Sequence, residues 1–87
     1  MKAQHGRKDV DTMKTVNVML DTIAKVKDFV NLLVAVPYDV DLVSGRYVID
    51  AKSFMGILSL DLAKPIELRL YSDDCDELLA KLAPYIV

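Results

Sequence analysis

The residues of this chain that could do chemistry are few, and most have no partner at catalytic spacing. The single histidine, His5, is followed two residues later by Arg7. Both precede the first predicted strand, so we interpret them as part of a leader. After residue 13 the sequence contains no nucleophile–base pair and no ligand cluster. We therefore predict that the domain is not an enzyme and needs no cofactor.

Cys75 and the acids around it are the other residues with chemically useful side chains. A cysteine at a helix start is often reactive, because the helix dipole lowers the pKa of its thiol. Here the neighbouring carboxylates oppose a thiolate, and from one turn they would diverge and not converge on a metal. We predict an unreactive thiol, a solvated helix start and no metal site. The carboxylates are those of Asp73, Asp74, Asp76 and Glu77.

Length, composition and charge restrict the class of protein. The chain has 87 residues, 53% of them apolar, and one cysteine, which favours a single domain in a reducing compartment. Its longest apolar run, residues 32–36, is far shorter than a membrane span. The net charge is −2, and no basic stripe is present to bind phosphate backbones. We expect a cytoplasmic protein without nucleic-acid or membrane partners.

The first half of the domain predicts a strand followed by a helix. Residues 15–20 alternate between polar and apolar types, as in a half-buried strand. Asp21 or Thr22 would cap the helix, and Pro37 lies beyond its end. The apolar stripe of this helix comprises Ile23, Val26, Phe29, Val30, Leu33 and Val34.

Residues 38–50 predict a β-hairpin. Apolar residues alternate with Asp39 and Asp41, which indicates a strand with one face in water, and the Ser-Gly pair at 44–45 marks the turn.

The second half predicts a short helix, a strand and a final helix. Ser53 precedes an apolar stretch and is the expected N-cap, whereas Gly56 within that stretch costs about 1 kcal/mol of helix propensity, which close packing would offset. Pro65 opens the last strand, and Ser72 or Asp73 would cap the last helix.

The complete order is β-α-β-β-α-β-α, which predicts an α+β fold. Strands with one face exposed to water, combined with amphipathic helices, imply an antiparallel sheet that is covered on one face. We divide the chain into a flexible leader, residues 1–12, and one domain, residues 13–87.

Residues 50–60, DAKSFMGILSL, resemble a segment of the HPr family, the histidine-containing phosphocarriers of the bacterial sugar phosphotransferase system. The KSFMG run at 52–56 is close to the K-S-I-M-G run of that family, and residues 58–60 also match. The resemblance spans about residues 13–86. It implies an open-faced β-sandwich, in which three helices cover one face of a four-stranded antiparallel sheet, and this agrees with the order derived above.

The function of the HPr family rests on a histidine, followed two residues later by an arginine, at the start of the first helix. The matching stretch here, residues 21–25, reads Asp-Thr-Ile-Ala-Lys. Thr22 takes the place of the histidine without a base to activate its hydroxyl, and Asp21 would repel a phosphate. The sequence therefore predicts that this domain carries no phosphoryl group on histidine.

The resemblance also implies a regulatory role for Ser53. In many family members this serine is phosphorylated by a dedicated kinase, and HPr then acts as a corepressor with a catabolite-control regulator. The alternative interpretation is that Ser53 is only an N-cap.

The apolar residues Phe54, Met55 and Leu58 correspond to the partner-binding patch that the family displays around the short helix. The alternative is that Met55 and Leu58 fill the core and only Phe54 protrudes, and of the three we expect Phe54 to be the most exposed.

These features lead to three hypotheses. The first is a regulatory or protein-binding module whose partners are enzyme I, the HPr serine kinase or a transcriptional regulator of the sugar phosphotransferase and catabolite-control systems. The second is an active phosphocarrier that accepts a phosphoryl group from enzyme I through a non-standard residue, either His5, whose spacing to Arg7 is that of the family's histidine and arginine, or another nucleophile. The third is a domain that has kept the fold and acquired another role.

Overall fold

A computed structural model describes residues 13–87, which form a four-stranded antiparallel sheet with three helices. The predicted leader, residues 1–12, lies outside the described residues, and His5 lies there with it. The strand order is β1-β4-β2-β3, which confirms the predicted α+β open-faced sandwich. The strands are β1 (Met13–Val18), β2 (Val40–Ser44), β3 (Tyr47–Asp50) and β4 (Ile66–Tyr71). The helices are α1 (Ile23–Leu33), α2 (Phe54–Leu58) and α3 (Asp76–Leu82), followed by a 3₁₀ turn at Ala83–Tyr85.

The core face of the sheet is built around β4. Leu68 lies opposite Val16 in β1 and Leu42 in β2, and the three apolar residues of β4 are buried while the three between them are half-buried. This period of two is the one that the sequence predicted, because successive side chains of a strand point to opposite faces.

Helix α1 packs on that face through Val26, Phe29 and Leu33, which are all buried. Their three- and four-residue spacing keeps them on one side of the helix. Ile23 is 65% exposed and Val34 is 56% exposed, so their assignment to the stripe was wrong. Ile23 is the first helical residue and Val34 the C-cap, so both lie at the ends of the buried surface.

A two-residue turn, Gly45-Arg46, joins β2 to β3. Gly45 has φ +61°, and glycine adopts this left-handed conformation without the steric cost of a Cβ atom. Glycine at the first central position is typical of a type II′ turn, which suits the twist of a hairpin.

Asp41 is buried, which corrects the prediction that both acids of β2 face water. Asp39 is exposed, but Asp41 is only 4% exposed. Asp41 lies opposite Asp50 in β3 and Arg69 in β4, so side chains on both sides shield it. Every buried side-chain polar atom in residues 13–87 has a hydrogen-bond partner.

Helix α3 begins later than predicted. Its N-cap is Cys75, which makes no side-chain capping bond. The hydroxyl oxygen of Ser72 instead accepts a hydrogen bond from the amide of Asp74 at 3.0 Å. Ser72 therefore closes a local turn before the helix, which is a common alternative to capping for serine.

The C-terminal residues cover part of the β1 edge, a feature that the sequence pattern did not predict. The Met19 amide donates to the Tyr85 carbonyl at 2.8 Å, and the Val87 amide donates to the Asn17 carbonyl at 2.9 Å. Tyr85 also meets the ring of Phe29 edge-on, with 5.8 Å between centroids and 73° between ring planes.

We expect Phe29→Ala to lower the free energy of unfolding by about 3–5 kcal/mol, because it removes a buried ring from the centre of the α1 contact and leaves a cavity. Urea titration followed by circular dichroism measures the change. Ile23→Ala on the same helix is the matched control, and we expect it to change stability by about 0.5 kcal/mol or less. Equal losses in the two variants would contradict the assignment of the buried face.

Candidate functional site

The short helix α2 and the serine before it form the candidate site. Ser53 has extended backbone angles, and its hydroxyl oxygen accepts a hydrogen bond from the Gly56 amide at 3.2 Å, which confirms the predicted N-cap. A Cβ atom on Gly56 would lie 3.1 Å from Ser53 Oγ. The glycine therefore permits the close approach that we expected to offset its low helix propensity.

Met55 is the exposed apolar residue of α2, which corrects the expectation for Phe54. Met55 is 73% exposed, whereas Phe54 and Leu58 are half-buried and pack against the core. Ile57 is fully buried. Because 54, 57 and 58 share one face of a helix, anchoring Ile57 turns Phe54 and Leu58 inward and Met55 outward.

Two exposed serines flank Met55 along the chain, Ser53 before the helix and Ser59 after it. The Ser59 hydroxyl donates to the Gly56 carbonyl at 2.6 Å. We call these three residues, Ser53, Met55 and Ser59, the α2 surface. It presents one flexible thioether between two hydroxyl groups that are held by the helix ends.

Lys52 fixes the position of this surface relative to α1. Its Nζ donates to the Val36 carbonyl beyond the end of α1 at 2.8 Å, and its amide donates to Asp50 Oδ1 at 2.9 Å. The segment between β3 and α2 is therefore tied to both neighbouring elements.

Thr22, which the resemblance predicted at the position of the family's histidine, is the N-cap of α1. Its hydroxyl oxygen accepts a hydrogen bond from the Lys25 amide at 3.1 Å. Asp21 Oδ1 lies 3.0 Å from Lys25 Nζ, and this hydrogen-bonded ammonium lowers the pKa of the Asp21 carboxyl. The start of α1 thus presents a capping hydroxyl beside an ion pair.

The structure does not bring Thr22 and Ser53 together. Lys52 ties the start of α2 to the C-terminal end of α1, whereas Thr22 caps the other end. Eleven helical residues separate the two ends, which corresponds to about 16 Å.

The thiol of Cys75 is buried. Burial raises the pKa of this thiol, and the nearby carboxylates of Asp74 and Asp76 act in the same direction, against the lowering effect of Lys14. Within residues 13–87, no group of three or more histidine, cysteine or acidic side chains is placed to hold a metal ion.

Two open clefts lie away from the predicted site residues. One, of about 930 Å³, lies between the β2–β3 turn and the loop before β4. The other, of about 500 Å³, lies between the end of α1 and the start of α3. Of the α2 surface only Ser59 lines the first cleft, and Ser53 and Met55 line neither of the two.

The fold and the α2 surface define a small α+β sandwich with an exposed methionine on its short helix. The chain matches no protein-family model and no curated protein sequence. None of the helices in the described part of the chain is both long and apolar enough to cross a membrane.

We expect Cys75 to resist alkylation by iodoacetamide in the folded protein and to react readily in denaturant, because its buried thiol has a raised pKa.

The raised pKa of Cys75 also predicts that the folded protein loses stability at alkaline pH. Below the pKa that the thiol has in the unfolded chain, the neutral thiol contributes its full share to the free energy of unfolding. This contribution is lost as the pH rises through the pKa that the thiol has in the folded protein. Urea titrations at several alkaline pH values measure the loss in the free energy of unfolding, with Cys75→Ala as the control. For the first prediction, rapid alkylation of the native protein at neutral pH would contradict an unreactive, buried thiol.

Proposed function

We propose that this protein is a regulatory, protein-binding module related to HPr that carries no phosphoryl group on histidine. The observation that supports this most directly is the exposure of Met55, at 73%, on an anchored helix between two exposed serines. Methionine is common at protein-binding surfaces because its flexible, polarizable side chain adapts to partners. The KSFMG run that carries the resemblance to HPr surrounds this residue.

The geometry at Thr22 favours a binding role over a phosphocarrier role. The hydroxyl of Thr22 already accepts the capping hydrogen bond from Lys25, and the adjacent charges are those of the Asp21–Lys25 ion pair. A phosphoryl acceptor needs an activated nucleophile. The carboxylate next to Thr22 in the chain, that of Asp21, is paired with Lys25 and its pKa is lowered, which makes it a weak general base.

Ser53 is the proposed point of regulation. Its side chain is exposed and lies at the edge of the α2 surface, two positions from Met55. A phosphate would add about −2 of charge and three acceptor oxygens there. Such a group would change which partner surface fits Met55, and this is how a binding module without catalytic residues can be switched.

The partners that we propose are proteins of a bacterial sugar phosphotransferase or catabolite-control system in the cytoplasm. Enzyme I, the HPr serine kinase and a transcriptional regulator are the candidates, and the resemblance at residues 50–60 is the reason for choosing them.

We expect incubation with ATP and the HPr serine kinase to add one phosphate, measured by intact mass. The phosphate should be absent from Ser53→Ala and present in Ser59→Ala, which removes the serine at the other end of the α2 surface. No added mass in the wild-type chain would reduce Ser53 to an N-cap. In parallel, a phosphate acquired from enzyme I and phosphoenolpyruvate would favour the phosphocarrier hypothesis.

We expect Met55→Asp to weaken capture of the catabolite-control regulator by about tenfold or more, since it replaces an exposed apolar contact by a charge. The measurement is titration calorimetry with the serine-phosphorylated chain. Ile23→Asp places the same charge at another exposed apolar residue, and we expect it to bind like the wild-type chain. Equal weakening by both substitutions would argue against an α2 interface.

A further inference from the structure

The outer edge of β3 is the surface of the molecule that the proposed function leaves unexplained. In the strand order β1-β4-β2-β3, β3 is an edge strand paired with β2. The described residues 13–87 contain no strand on its other side. An unpaired edge is a template for another strand.

The two edges of this sheet differ in whether other residues pair with them. At the β1 edge, the tail residues Ile86 and Val87 pair with Val18 and Asn17. At the β3 edge, Tyr47 is 65% exposed and Val48 is 54% exposed. The YVID sequence of β3 contains none of the lysines or prolines that protect edges.

The alternation of hydrogen-bonded and non-hydrogen-bonded pairs in the hairpin shows which backbone amides and carbonyls of β3 point away from β2. Ser44 and Tyr47 flank the two-residue turn, so they form a hydrogen-bonded pair, and bonded and non-bonded pairs alternate from there. The bond from the Ala51 amide to the Val40 carbonyl, at 2.8 Å, fits this phase. Val48 is therefore in a non-bonded pair with Val43, and its amide and carbonyl point away from β2.

We propose that β3 pairs with β3 of a second copy of this chain, antiparallel and centred on Val48. A two-fold axis through this point makes the amide and carbonyl of Val48 exchange both hydrogen bonds with those of Val48 in the second copy. Tyr47 then lies opposite Ile49 of the second copy, so the exposed side chains of Tyr47 and Val48 each gain an apolar cross-strand neighbour. The interface is isologous, as in most homodimers.

Charge complementarity selects a second copy over an unrelated strand. With Val48 on the axis, Arg46 lies opposite Asp50 of the second copy, and Asp50 lies opposite its Arg46. Neither residue forms an ion pair within residues 13–87. Opposite charges across strands are favourable, so the segment 46–50 is complementary to itself when reversed.

The neighbouring contacts limit the length of the pairing. The Asp50 carbonyl accepts a hydrogen bond from the Ser53 amide at 3.0 Å, and this bond directs the chain away from the edge into α2. The main-chain ladder therefore consists of the two bonds at Val48 and one from each Asp50 amide to the Arg46 carbonyl of the other copy. So short a ladder forms a small interface, and small interfaces are weak.

Sedimentation equilibrium of the full chain at increasing concentration, up to about 1 mM, tests the proposal. We expect the mean mass to rise from 9.7 kDa towards twice that value. Hydrogen exchange at the Val48 amide should slow as the protein concentration rises, while exchange at the amide of the exposed Met55 should not. A monomeric mass over the whole range would overturn the proposal and would leave the edge to a strand of another protein.

Val48→Pro tests the location. Proline removes the outward amide, which the β2–β3 ladder does not use, so the hairpin should persist. We expect the dimer dissociation constant to rise by about tenfold or more, since two main-chain hydrogen bonds are lost. A dimer unaffected by this substitution, with the fold verified by circular dichroism, would overturn the assignment to β3.

Charge reversal tests the register. Arg46→Asp and Asp50→Arg should each weaken the dimer, and the double variant should recover it because opposite charges face each other again. Asp50→Arg also removes the acceptor of the Lys52 amide, so thermal unfolding is measured for every variant. A double variant as stable as the wild-type chain that fails to recover the dimer would overturn the register.

Discussion

The pairing of β4 with both β1 and β2 is the interaction on which the rest of the structure depends. In the described sheet, β1 and the β2–β3 hairpin are joined only through β4, the last strand in sequence. Its buried residues Ile66, Leu68 and Leu70 form the middle of the core face. The face against which α1 packs Phe29 is complete only once β4 has joined strands that lie far away along the chain, and contacts of this kind carry a large loop-closure cost.

In this arrangement the exposed residues of the β3 edge lie at the side of the sheet opposite β1. Residues 51–53 connect the edge strand β3 directly to α2, and Lys52 ties that connection to the end of α1. The α2 surface and the β3 edge are therefore parts of one margin, supported by the same core. The positions of both surfaces depend on the same packing, which buries Ile57 of α2 and Ala51 just after β3.

The site at Thr22 shows why the fold alone does not determine function. A helix N-terminus is present there and its amides are suited to anions, but the side chains around it form a cap and an ion pair. The same scaffold keeps an exposed, anchored α2. A cap and an ion pair at one end of α1 thus occur together with an exposed short helix tied to the other end.

The element order, the alternation in β4, the Ser53 cap and the absence of a histidine at the start of α1 followed from the sequence alone, because each depends on residues that are close along the chain. The sequence left the cap of α1 open between Asp21 and Thr22, and in the structure Thr22 is the cap. Tertiary structure decided the burial of Asp41 and the exposure of Met55, since both depend on which strands and helices flank them. It also decided that the tail covers the β1 edge while β3 stays exposed, for an edge exists only relative to the completed sheet. Local periodicity identifies a face of an element, but only packing determines what covers it.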